Sequence, residues 1–255
     1  MGWREAVGSL STSFAFLTRI PLPSFLFSDH IPVARAAWAF PVVGFVIGLA
    51  QAVVLGLLSG LGWHPAVVAV VVLGGSILLT GALHEDGLGD VADSLGGATR
   101  ERKLEIMKDS RLGTFGVLAL VLMVGLKLTV LMSLSGDAGW RVILAVMVGS
   151  GVVSRVLMTL VWSLLPAAST AGLGAERPSS VTALIAVAIG FAILALLVPL
   201  SAGLVLVGTV SAGAMAVAFA VFARWQYGGV TGDVCGAAQM LAELAFFGAA
   251  LSLMA

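Results

Sequence analysis

Long apolar runs separated by short polar breaks set the pattern of this chain. The runs cover residues 36–61, 66–83, 115–134, 141–165, 181–200, 203–222 and 234–254. Each is close to the ~20 residues that a helix needs to cross about 30 Å of hydrocarbon. The pattern predicts an all-α, polytopic transmembrane helix bundle of about seven spans, forming one integral membrane domain over residues 1–255. Residues 3–18 differ. Trp3, Val7, Leu10, Phe14 and Leu17 make a helical stripe, but Gly8, Ser9, Ser11, Thr12 and Ser13 leave the segment too polar to span. It reads as an N-terminal interfacial helix, followed by an extended stretch at 19–23.

Smaller signals refine the elements. Gly44 and Gly48 have the small-xxx-small spacing of close helix pairs. Pro41 predicts a kink near the start of the first span. His64 falls in a short exposed turn, Gly136 and Asp137 mark another, and the spans 181–200 and 203–222 join tightly at Ser201 and Ala202. Residues 94–111 are the most charged part. There Glu101, Glu105 and Lys108 follow helical spacing and predict a short polar helix. Residues 165–180 form a loop holding Glu176, Arg177 and Pro178.

Composition places these elements in lipid. The chain is 60% hydrophobic and 10% charged, with a mean hydropathy of +1.11. Its zero net charge gives no electrostatic footprint for a nucleic-acid partner. The single cysteine, Cys235, excludes an internal disulfide framework. Arg4 and Glu5 precede only a weak apolar run, which Arg19 and two prolines end, so no cleaved signal peptide is expected. With the N-terminus in the cytoplasm, loops 84–111, 165–180 and 223–233 share its side. Arg4, Arg19, Arg35, Arg177, Arg224 and the five cations at 100–111 then lie inside, and only Arg141 lies outside. Every polar stretch is thereby gathered on one face.

The candidate chemistry begins after the second run. Asp86, Asp90 and Asp93 follow i,i+4 and i,i+3 steps, so a helix presents all three on one face. Like charges so placed are either solvated, as a bland acidic loop would be, or gathered around a cation. Hard oxygen ligands suit Mg²⁺, which keeps positions for water and phosphate oxygens. Lys108, Arg111, Arg19 and Arg224 are candidates to hold phosphates, and Arg111 reads equally as a headgroup anchor. Metal, cations and glycine loops together equip a protein for phosphoryl transfer. Gly228 and Gly229 either turn the chain or admit a phosphate to backbone N–H groups. Asp233 reads as an N-cap of the last span, a turn that Thr231 or Gly232 could also serve, and alternatively as a further metal ligand. His84 reads as an orienting partner of the carboxylates, with general base or ligand as the other roles, and Glu85 reads as solvated. Arg155 and Glu243 fall at similar depths in the bilayer. They are expected to pair, or else to line a substrate cavity separately.

These motifs carry a family likeness. His84-x-Asp86-Gly87-Leu88-x-Asp90-x-x-Asp93, Met107-Lys108-Asp109-Ser110-Arg111-Leu112-Gly113-Thr114-x-Gly116 and Gly228-Gly229-x-Thr231-Gly232-Asp233-x-x-Gly236-Ala237 stand in order along the chain. With Phe16-Leu17-Thr18-Arg19-Ile20-Pro21 and Phe40-Pro41-x-x-Gly44, they resemble the cobalamin synthase family (adenosylcobinamide-GDP ribazoletransferase) over about residues 14–247. Phe115 stands where some members have histidine, and Glu85 where an apolar residue is common. The resemblance implies an Mg²⁺-dependent enzyme of the prokaryotic cytoplasmic membrane, with its site facing the cytoplasm. It would join adenosylcobinamide-GDP to α-ribazole or its 5′-phosphate and release GMP. Partners are then these small molecules and the lipid bilayer, with no nucleic acid, and self-association stays open. The competing readings are a CDP-alcohol-type membrane phosphotransferase, whose Asp-Gly-x-x-Ala-Arg pattern is absent, and a secondary transporter, which would concentrate polar groups near the bilayer midplane.

Overall fold

A computed structural model describes residues 2–27, 31–109, 111–136, 138–169 and 172–254; Ser110 and Asp137 therefore lie outside the described residues. The described chain is helical, with one isolated β-bridge. Helix α1 spans Trp3–Leu17. A single turn, α2 (Val33–Ala36), passes through a 3₁₀ turn at Ala37–Ala39 into α3 (Phe40–Gly60). Then come α4 (Pro65–Thr80), α5 (Leu83–Ser94), α6 (Arg100–Ile106), α7 (Thr114–Gly136), α8 (Trp140–Leu164), α9 (Ser180–Tyr227) and α10 (Gly232–Met254).

Helix α9 has 48 residues, about 72 Å if straight and far more than a bilayer needs. It is not straight. Pro199 lacks the N–H that a continuing helix requires, and Ser201 leaves helical geometry at φ −165°, ψ 83°. Gly190 packs on Val152 and Val156 of α8, while Ala212 shares a cluster with the neighbouring Val153. Leu197 and Val205 likewise meet together beside Ala145 and Val148. Each pair stands symmetrically about Ser201, so the helix doubles back there and supplies two spans, as the sequence predicts. Among the described residues, five helices are long and apolar enough to cross a membrane, and the bent pair α4–α5 adds a sixth. The reversal in α9 raises the total to seven, and the protein is a multi-pass membrane protein.

The spans pack through small residues. A Cβ on Gly44 or Gly48 would strike the carbonyl of Gly151 or Met147, so α3 and α8 run antiparallel with backbones in contact. Pro41 sits in the first turn of α3, where its missing N–H is harmless; the expected irregularity is the 3₁₀ turn before it. Helix α1 buries Gly8, Ser9, Ser11, Ser13 and Leu17 and leaves Trp3 exposed. Its small polar face is thus the packed one, and Ser13 Oγ donates to the Ala36 carbonyl at 2.9 Å. His64 is exposed, as expected, and its Nδ1 accepts the Ala66 N–H to start α4. The short polar helix is α6, capped by Thr99.

Two consecutive left-handed residues, Gly81 (φ 66°) and Ala82 (φ 58°), end α4 and turn the chain by 87° into α5. The second span is therefore α4 alone. Helix α5 leaves α4 at that bend and packs against α7 and α10, with α6 beside it.

Candidate active site

Glycine sets the height of α5. A Cβ on Gly87 would come within 2.8 Å of the Asp233 carbonyl and 3.2 Å of the Gly236 Cα. The two helices cross at near backbone contact, which brings Asp86 of α5 beside the first turn of α10. Thr231 caps that turn: its Oγ accepts the Val234 N–H at 3.2 Å. Asp233 is therefore not needed as the cap, and its carboxylate is left facing a cavity.

Three adjoining cavities surround this crossing. One of about 220 Å³ is lined by His84, Asp86, Asp233, Cys235 and apolar groups including Phe16 and Met158. A second of about 410 Å³ is lined by Asp86, Asp90, Lys108 and Asp109. A third of about 550 Å³ is lined by Lys108, Ser169, Thr231 and Asp233. Asp86, Asp233 and Lys108 each face two of the three, so they stand where the cavities meet. Burial first, then the charges of Asp86, Asp233 and Asp93, push the Asp90 carboxyl up to about 7. A carboxylate set this mutually repulsive is chemically suited to a cation. Among the described residues, however, no three His, Cys, Asp or Glu side chains converge as a ready-made metal cage.

The other sequence candidates divide between site and scaffold. Asp93 shares the acidic stretch, but its Oδ2 accepts the Gly113 N–H at 2.7 Å and its Oδ1 the Gly116 N–H at 2.8 Å. It holds the start of α7, where side chains in place of the two glycines would displace it. Arg111 is exposed, and its fork is taken by Asp109, with Nη2 to Oδ2 at 2.6 Å. That guanidinium holds the Asp109 carboxyl down at about 2. Arg19 lies over Gly81, and its N–H bonds the Leu79 carbonyl at 2.7 Å. Gly228 (φ 79°) ends α9, and a side chain there would strike the Arg100 guanidinium. Gly229 packs on the Pro166 carbonyl, next to a short parallel bridge between Ala167 and Val230. These two glycines join loops and line none of the three cavities. His84 is buried in the smallest cavity, and its Nε2 has no hydrogen-bond partner among the described residues.

Two expectations are corrected. Glu85 is not solvated; it is 8% exposed and its Oε1 lies 3.9 Å from Lys127 Nζ. Glu243 does not pair with Arg155. Lys127 Nζ is 3.3 Å from its Oε2, while Arg155 Nη1 bonds the Gly151 carbonyl at 3.1 Å. Matching depths along helices overlooked the long lysine stem, which carries its charge well away from its own Cα.

The sequence comparisons bear on what such a site is for. A family model described as cobalamin-5-phosphate synthase matches residues 9–251. The chain belongs to the cobalamin-5-phosphate synthase family. A relative from Allorhizobium ampelinum, an adenosylcobinamide-GDP ribazoletransferase, is 42% identical over 248 residues, covering 93% of this chain and 94% of its own. Relatives of the same name from Bradyrhizobium diazoefficiens and Brucella canis are 39% and 38% identical, over 94% of this chain and 92% and 94% of theirs. No solved structure matches the chain. In this member of the cobalamin-5-phosphate synthase family, all three sequence motifs border the same cavities: the acidic stretch as α5, the lysine motif between α6 and the start of α7, and the glycine–aspartate motif at the start of α10. Lys127, whose place nearer the outer face makes it look less suited as a partner of Glu243, is buried between Glu243 and Glu85 and meets both. A lone lysine inside an apolar span was its only sequence signal.

Proposed function

We propose that the protein is an Mg²⁺-dependent transferase that joins adenosylcobinamide-GDP to α-ribazole or its 5′-phosphate, giving adenosylcobalamin or its 5′-phosphate and GMP. The family and the shared name of the relatives support the reaction class. The observation that carries the reading is the meeting of Asp86, Asp233 and Lys108 at the junction of three cavities. A transfer between two large substrates needs adjoining spaces that share one reacting point. In the reaction, a ribose hydroxyl of the acceptor bonds to the phosphorus attached to cobinamide. The bond from that phosphorus to GMP breaks, and GMP keeps the electron pair.

Asp86, Asp90 and Asp233 are the side chains to hold Mg²⁺, with Asp93 kept as the anchor of α7. Bound Mg²⁺ would neutralise charge on the phosphate oxygens, and it needs only one or two carboxylates because substrate and water complete its shell. Lys108 would hold donor phosphates as a point charge from the two larger cavities. His84, which lines the smallest cavity with Asp86 and Asp233, would take the hydroxyl proton. The gathering of arginine and lysine on the site's face supports a site in the cytoplasmic membrane that opens to the cytoplasm.

GMP release in detergent tests the reading. Turnover should require both substrates and Mg²⁺, and Asp86→Asn or Asp233→Asn should abolish it with the thermal melt unchanged. Full turnover in a chelator, or in both variants, refutes the assignment.

A further inference from the structure

Against the wall of the 410 Å³ cavity, which Glu85 also lines, lies a second polar cluster for which the proposed chemistry has no use. Lys127 (4% exposed) stands between Glu85 (8%) and Glu243 (7%), with Nζ–Oε distances of 3.9 and 3.3 Å. Gln239 Nε2 donates to Glu243 Oε2 and to Ser154 Oγ, both at 3.0 Å. Arg155, buried alongside, brings the count to two acids and two bases. Burying four charges is costly, and apolar packing would stabilise the bundle as well or better. What an ionic cluster supplies in exchange is a defined register.

The register that it defines is that of the acidic helix. Glu85 is the residue before Asp86 on α5, and Glu243 lies on α10, the helix that begins with Asp233. Lys127, on α7, thus ties both acid-bearing helices to one point. Helix α5 has particular need of a tie. It leaves α4 through Ala82 in the left-handed region, which a residue with a Cβ adopts unfavourably. Its crossing with α10 depends on Gly87 staying against Asp233. Rotating α5 enough to free Glu85 would carry Asp86 away from the cavity junction, because the two residues are neighbours on one helix.

We infer that Lys127 is a positioning residue: by pairing Glu85 and Glu243, it locks α5 against α10 so that Asp86 and Asp233 face one space. What the lock is for rests on the function proposed above; the lock itself does not.

Cys235 is a native reporter of the lock. It is the sole cysteine, is 2% exposed, and lines the 220 Å³ cavity with Leu83, His84 and Asp86 of the α5 segment. The full chain in detergent, free of divalent cations, is treated with N-ethylmaleimide, and adduct formation is followed by mass spectrometry. Lys127→Met should speed the reaction about tenfold by letting α5 lift, while Lys127→Arg should keep the wild-type rate. The double variant Glu85→Gln/Lys127→Met leaves Glu243 and Arg155 in balance and should melt near wild type, yet still react about tenfold faster. A folded Lys127→Met protein reacting at the wild-type rate overturns the inference. So does a double variant that returns to the wild-type rate, because then only charge balance mattered. Mn²⁺ binding, read from loss of the free-ion electron spin resonance signal, should weaken about tenfold or more in the same double variant. A wild type that binds no Mn²⁺ while the alkylation contrast persists removes the metal assignment and upholds the lock.

Discussion

Asp93→Ala separates a structural carboxylate from the reactive ones beside it. The variant removes the acceptor of two backbone N–H groups, Gly113 at 2.7 Å and Gly116 at 2.8 Å, at the start of α7. Loss of a helix cap costs about 0.5–2 kcal/mol. The lost interaction of a carboxylate with the helix N-terminus adds about 0.3–1 kcal/mol. One opposing effect exists, because Asp90 loses a repelling neighbour. The balance is a destabilisation of about 2 kcal/mol, or about 4–8 °C in Tm for a chain of this size. Asp93→Asn keeps one carbonyl oxygen and should lose about half of that. The assay is a thermal melt in detergent followed by tryptophan fluorescence, with Asp86→Ala as comparator because Asp86 is exposed and faces the cavities. Asp93→Ala should melt low and Asp86→Ala should not. Equal melting of the two would refute the division of the acidic stretch into anchor and site.

Asp90→Asn should change how the metal-free protein responds to pH. The folded-state pKa of about 7 lies above the ordinary 3.8, so the folded protein holds an extra proton between those values and loses stability as pH rises through the window. The variant should therefore melt above wild type at pH 8, with the gap closing toward pH 4; a gap independent of pH contradicts the cause given. Gly87→Ala should part α5 from α10, costing about 1–3 kcal/mol by overpacking and most of the turnover. Gly74→Ala, where a Cβ meets nothing within 4 Å, should leave both intact.

The spans were legible because hydrophobic length is a local property, and even the reversal at Ser201 was marked by a break in the run. The facing of polar residues was less so. Asp86, Asp90 and Asp93 do share a helix, but which of them meets solvent and which meets α7 depends on glycines twenty residues further on. The burial of Glu85 depends on a lysine in another span, and nothing in the local spacing announces it. Helix α1 shows the inversion particular to membranes: its small polar side packs inward, so a stripe of large apolar residues no longer marks the core. The turn into α10 offered Thr231, Gly232 and Asp233 as caps, and only the hydrogen bond from the Val234 N–H to Thr231 decides between them.

The reversal of α9 at Ser201 bears on how the chain is made. On the face opposite the site, α3 joins α4 through residues 61–64, α7 joins α8 through the still shorter 137–139, and α9 turns at a single residue. Hardly any hydrophilic chain has to be carried across the membrane during synthesis. The two halves of α9 can enter the bilayer together as a hairpin, already in contact, with no loop to drag through the lipid.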